Sequence, residues 1–199
     1  AASGEAGSKY VLMGGFASAL ILFGISFLYG ATGALDFVSL AAAARGAPND
    51  PILWGGIILL FGGLGFKLSM FPLHMWTPDV YQGSPTPVMA FLSVGSKAAA
   101  VAAFAMIFLG PLEGTRPALV IFISVAATLS MVAGNLGAMR QIDLRRFVAY
   151  SSIAQAGYML LALLGDPVMA RNALQYNLIT YGVTSFALYF IMSVIGKEG

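Results

Sequence analysis

Long charge-free runs divide this chain. The first runs from 10 to 35, and a shorter one from 51 to 66 is closed by Lys67. Residues 80–96 and 98–112 are also charge-free and are separated only by Lys97. Three further runs cover 117–139, 147–165 and 172–196. A helix needs about 20 mostly apolar residues to cross a bilayer. The pattern predicts six helices, near 10–35, 53–71, 86–109, 117–139, 147–165 and 172–196. In hydrocarbon a helix satisfies its own backbone groups, so strands are not expected. The expected fold is all-α: a polytopic membrane helix bundle of about six transmembrane helices. The whole of 1–199 reads as a single transmembrane domain, with no linker.

Composition sharpens this picture. Of the 199 residues 59% are hydrophobic and 9% charged, and the mean hydropathy is +0.86. Soluble domains carry about 25% charged residues, so the solvent this chain suits is a lipid bilayer. Its net charge is +2 and its basic residues are scattered. Nucleic acid wants a basic patch and is not an expected partner. With no cysteine and one histidine, disulfides, iron–sulfur ligation and a histidine metal or heme site are set aside. No GxGxxG or Walker loop is present. The start, AASGEAGSKY, is not a signal peptide and reads like the middle of a longer chain. Motifs of small residues (GGFASA, GGLGF, AAAVAAFA) suit close helix packing or simply fill space.

Six spans put both ends on one side. Lys9, Arg140, Arg145, Arg146 and Lys197 then share a face, and Arg45, Arg116 and Arg171 the other. The RQIDLRR turn strengthens this bias, and the positive-inside rule makes its face cytoplasmic.

Two cations stand at membrane depth. Lys97 falls near the middle of the helix after Pro87, and Lys67 in the third quarter of its run. A lysine at the bilayer centre costs roughly 2.5–3.5 kcal/mol, and desolvation disfavours its charged form. Two readings remain open for each: a proton relay, or a side chain that snorkels or sits in a static ion pair. The segment FPLHMWTPDVYQGSPTPV carries four prolines. Pro72 is expected to break the helix at mid-membrane just after Lys67, because it has no N–H to donate. Breaks of this kind hold ion sites in transporters. The prolines also suit a shaped surface loop. His74 is either a proton-exchanging or a structural group. Asp79 suits a cap or an ion pair. Glu5 and Lys9 suit an i,i+4 pair. Trp76, Tyr81 and Tyr150 read as interface aromatics, and Arg145 and Arg146 as topology anchors. Taking the turn near 76–84, Lys67 and Lys97 lie roughly ten and thirteen residues from it. At 1.5 Å per residue their depths differ by a few ångströms, so they are expected to face one another across a hydrated layer.

The stretch GFKLSMFPLHMWTPDVYQGSPTPVMAFLSVGSKAAA, from Gly65 to Ala100, closely resembles the proton-conducting membrane subunits of complex I, the NADH–quinone oxidoreductase. Its form WTPDVYQGSPTPV is nearer to subunit N, the counterpart of mitochondrial subunit 2, than to subunits L or M. EAGSKYVLMGGFASALILFGISFLYGATG resembles the preceding helix of that family. LRRFVAYSSIAQAGYMLLALL resembles its basic turn and AYSSIAHxGY motif, with Gln155 where many relatives have His. The resemblance covers about residues 5 to 165.

It implies a fourteen-helix antiporter-like subunit with two inverted five-helix repeats, each with a broken helix. This chain would be an inner fragment of it. Lys67 matches the lysine of the first broken helix and Lys97 that of the next helix, both members of a hydrated chain of ionisable groups. Glu5 and Lys9 match a less central pair. The glutamate that pairs with the first lysine is expected upstream of Ala1, and the lysine of the second broken helix downstream of Gly199. The family places no cofactor in this subunit: NADH, flavin, iron–sulfur clusters and quinone belong to the rest of the parent complex. The implied partners are its other membrane subunits, the lipid bilayer and protons, in a bacterial inner membrane or an organellar energy-transducing one. The alternatives are a subunit of a multisubunit cation/proton antiporter or membrane-bound hydrogenase, and a structural spacer.

Overall fold

A computed structural model describes residues 2–112 and 115–195. Lys197 and residues 113 and 114 of the GPLEGTR turn lie outside them. Among the described residues the chain is helical, with eight helices and no strand. These are α1 (Ala2–Thr32), α2 (Phe37–Gly46), α3 (Pro51–Leu68), α4 (Trp76–Gly83), α5 (Thr86–Phe108), α6 (Arg116–Ala138), α7 (Leu144–Ala162) and α8 (Pro167–Ile195).

All six expected long helices are present. Five of them, α1, α3, α5, α6 and α8, are long and apolar enough to cross a membrane. The sixth, α7, has 19 residues and opens with two arginines. It packs closely on α6 and also meets α4 and α8. The additional helices α2 and α4 are too short to leave a spanning signature. Asp36 caps α2 by accepting from Ser39 N at 2.8 Å, and Leu40 and Ala44 form its buried side.

Small residues set the helix spacing. α1 and α3 pack closely enough that a Cβ on Gly24 would come within 2.7 Å of the Leu60 backbone nitrogen. Gly157 of α7 faces the Ala127 carbonyl of α6 in the same way, at 2.7 Å. Bilayer lipid supplies little hydrophobic drive between helices, so close backbone approach is what holds such pairs. Larger rings fill the remaining core: Phe61 meets Phe104, Phe108 and Phe122 with centroids 5.1, 5.6 and 4.4 Å away.

The helix ends sort the charges as the sequence suggests. Lys9, Asp79, Asp143, Arg145 and Arg146 meet at one end of the bundle. Phe37 and Arg171 line one cleft at the other end, of about 490 Å³. Thr115 is 3% exposed, so the opposite turn is read at exposed Gly110: single cysteines at Gln141 and Gly110 of the full-length subunit should label from opposite sides of sealed vesicles. Labelling of both from one side would contradict this arrangement.

Candidate functional site

The break after Lys67 begins earlier than Pro72. Ser69 adopts the left-handed conformation, φ 64°, and ends α3. Lys67 therefore sits in the last turn of α3, not three quarters along a continuous helix. Met70 N turns back to the Gly65 carbonyl at 2.9 Å. Phe71 N leaves the helix to bond Ser130 Oγ on α6, also at 2.9 Å. Pro72 lies inside the turn that follows.

Trp76 closes the break. Its ring stacks on Phe66 at 5.2 Å, and its indole N–H donates to the Phe66 carbonyl at 3.1 Å. That bond serves a carbonyl at the end of the interrupted ladder. Trp76 and Tyr81 are buried, not interface aromatics, because α4 folds back against α1 and α7. Tyr150 is half-buried, its ring close to Gly137. Lys67 Nζ lies 5.7 Å from the Tyr10 ring centroid, within cation–π range.

His74 stacks against Phe71 at 5.4 Å. Its Nδ1 is buried without a hydrogen-bond partner, and burial pushes the imidazole below its usual range. The neutral form follows near pH 7.

Asp79 is the hub of a charge network. It accepts from Lys9 and from Arg146, each at 3.0 Å, while Lys9 also pairs with Glu5 at 2.7 Å. The hydrogen bond from Lys9, then that from Arg146, hold its carboxyl below the usual carboxylate range against partial burial. Arg146 also bonds Gln82 Oε1 at 2.9 Å, and Arg145 the Ser84 carbonyl at 3.0 Å. The two arginines thus fasten the proline segment to α7, a larger role than topology anchoring.

Lys97 is in a different setting. Its exposure is 0%, so it does not snorkel. Its helix carries a π turn over Leu92–Ser96, a widening often found at functional sites. Nζ donates to the main-chain carbonyl of Ser152 on α7, at 2.5 Å. Among the described residues neither Lys97 nor Lys67 has an ion-pair partner; every ion pair lies in the Asp79 network. The two ammonium groups do not bond one another. Lys67 has the Tyr10 ring of α1 as a neighbour and Lys97 the Ser152 carbonyl of α7.

Around Lys97 lies a buried hydroxyl cluster that the sequence reading did not single out. Ser93 and Tyr181 share a hydrogen bond of 2.5 Å across 88 residues of chain. Ser152 donates its hydroxyl to the Ala149 carbonyl at 2.8 Å. Isolated Ser and Tyr residues in apolar runs were the only available signal. No group of three or more His, Cys, Asp or Glu that could hold a metal was found among the described residues.

A helix bundle with one broken helix, a buried lysine beside it and a basic rim defines an antiporter-like integral membrane subunit. The chain belongs to the NADH:quinone oxidoreductase/Mrp antiporter transmembrane family, whose model matches residues 1–199. The match extends past residue 165, where the sequence resemblance faded. NADH-quinone oxidoreductase subunit N of Geobacter metallireducens is 49% identical over 199 residues, covering 99% of this chain and 41% of that protein. The chain thus spans about two fifths of the length of such relatives. Among solved structures, respiratory complex I from Thermus thermophilus with bound aureothin contains a chain 42% identical. It superposes with a TM-score of 0.78 and covers 95% of this chain and 40% of its own. The Mrp complex from Dietzia sp. DQ12-45-1b shares the fold alone: 23% identity, a TM-score of 0.82, and coverage of 93% and 35%.

Proposed function

We propose that this chain is the inner part of a proton-translocating membrane subunit of an NADH–quinone oxidoreductase, with Lys97 and Lys67 as proton-exchanging groups. One observation carries the reading: Lys97 is fully buried and, among the described residues, has no ion-pair partner. A static ion pair would need a counterion, and a snorkelling lysine would reach the surface. A lysine at depth costs roughly 2.5–3.5 kcal/mol, and among the described residues its one hydrogen bond goes to the Ser152 backbone carbonyl. Such a group exchanges its proton without leaving a partner charge stranded.

This subunit carries no redox centre of its own in this reading. NADH, flavin, iron–sulfur clusters and quinone act in other subunits, and their electron transfer drives proton movement here. The other membrane subunits and the surrounding bilayer are its partners, in a bacterial inner membrane. Lys67, at the break beside Tyr10, is a second exchanging group. His74, neutral and half-buried against Phe71, is a supporting group in the turn after Lys67. Asp79, Glu5 and Lys9 hold the broken helix in place. Pro72 keeps the helix from resuming too early.

Sealed vesicles bearing the full-length subunit in its complex test this against the antiporter alternative. NADH addition should acidify the lumen without sodium and collapse with a protonophore. Proton movement that needs a sodium gradient and ignores NADH would instead favour a cation/proton antiporter.

A further inference from the structure

Six buried hydroxyls come from four helices: Tyr81 of α4, Ser93 of α5, Ser152 of α7, and Tyr181, Ser185 and Tyr189 of α8. Ser93 lies one turn before Lys97 on α5, and Ser152 is the residue whose carbonyl accepts from Nζ. Tyr81 and Tyr189 sit in one buried cluster with Val148 and Ala149, a turn before Ser152 on α7. Tyr181 bonds Ser93 and lines one groove with Ser152 and Ser185. Yet the Tyr81 and Tyr189 hydroxyls are buried and close no hydrogen bond of proper geometry. Native interiors rarely leave such groups unserved, and a water needs only two to four polar partners. In the Ser93–Tyr181 bond either oxygen is the donor, so its direction can reverse. Ser152 donates elsewhere and keeps its lone pairs free to accept. On its outer side the cluster meets a groove of about 200 Å³ between α7 and α8, where Ser151, Gln155, Thr184 and Ser185 join Ser152 and Tyr181.

We propose that Tyr181, with Ser93 and Ser152, forms a hydroxyl relay that carries protons between Lys97 and the α7–α8 groove. This rests on the proton-translocating reading above. In one step an Nζ–H bond of the Lys97 ammonium breaks and its proton passes to a hydroxyl oxygen or to a water held by Tyr81 and Tyr189. That oxygen releases its own proton to the next acceptor, ending as a hydroxyl again. Lys97 is left as a neutral amine, and one proton appears at the groove. Reversal of the Ser93–Tyr181 bond resets the path. The Ser152 carbonyl holds Nζ at its mouth without taking the proton.

The test uses the full-length subunit assembled in its complex in proteoliposomes, measuring protons moved per electron. Tyr181→Phe keeps the ring and removes the hydroxyl. It should assemble normally, slow proton movement about tenfold and raise the solvent deuterium isotope effect. Tyr176→Phe, a hydroxyl loss on the exposed side of the same helix, should change nothing. If Tyr181→Phe pumps like wild type while Lys97→Met does not, the relay is wrong and the reading of Lys97 stands. If both pump normally, the functional reading itself fails. Lower assembly with normal pumping per assembled complex makes Tyr181 structural and also overturns the relay. Should Tyr181→Phe not assemble at all, Ser93 decides: slowing by Ser93→Ala with recovery in Ser93→Thr supports the relay, and wild-type pumping in Ser93→Ala overturns it.

Discussion

Trp76→Ala should cost about 3–5 kcal/mol, the range for removing a large buried aromatic, and should deplete the assembled complex several-fold in membranes. The ring is 2% exposed and packs between Phe66 at 5.2 Å and Tyr10 at 5.3 Å, with Tyr81 at its edge. Its indole bond to the Phe66 carbonyl is the polar link from α4 back to the end of α3. Alanine leaves a cavity and deprives that carbonyl of its side-chain donor together. Trp76→Phe keeps most of the stacking and loses only the N–H, and the Phe66 carbonyl still accepts from Ser69 N at 3.0 Å, so it should cost about 0.5–1.5 kcal/mol. Native-gel quantification and the melting temperature of the solubilised complex read both. Wild-type abundance and melting in Trp76→Ala would show that the break is held by something else.

Lys97→Met should assemble and lose proton movement through this subunit, about tenfold or more. Methionine fills a similar volume but carries no proton. Lys97→Arg should fail as well, because arginine stays protonated at all working pH. Its charge would sit in a pocket with no carboxylate among the described residues. A structural lysine would behave in the opposite sense, tolerating Arg and losing assembly with Met.

The long helices were legible because charge-free runs near 20 residues have one stable solution in lipid. The shared face of Lys9 and the RQIDLRR turn was legible too, and Asp79 joins them through Lys9 and Arg146. The break was legible from Pro72, but its start was not. Ser69 ends α3 in a left-handed conformation that no serine signals in sequence. Helices α2 and α4, of 10 and 8 residues, are too short to give a period above the surrounding apolar text. Trp76 and Tyr81 were misread because aromatics near a polar turn look alike whether a short helix folds outward or back into the bundle.

The lysines were legible as anomalies, while their surroundings were not. Depth counting along two helices gives height but no rotation about either axis. It therefore gave the similar depth of Lys67 and Lys97 but not their neighbours, Tyr10 for one and the Ser152 carbonyl for the other. The partner of Lys97 is a main-chain carbonyl, which any residue type supplies. The Ser93–Tyr181 bond joins positions 88 residues apart, beyond any spacing rule.

The most direct measurement is the number of protons moved per electron in proteoliposomes holding matched amounts of assembled wild-type, Lys97→Met and Lys97→Arg complex. The account predicts normal assembly and a large fall in that ratio for both variants. Normal pumping by Lys97→Arg, with Lys97→Met absent from the assembled complex, would contradict it.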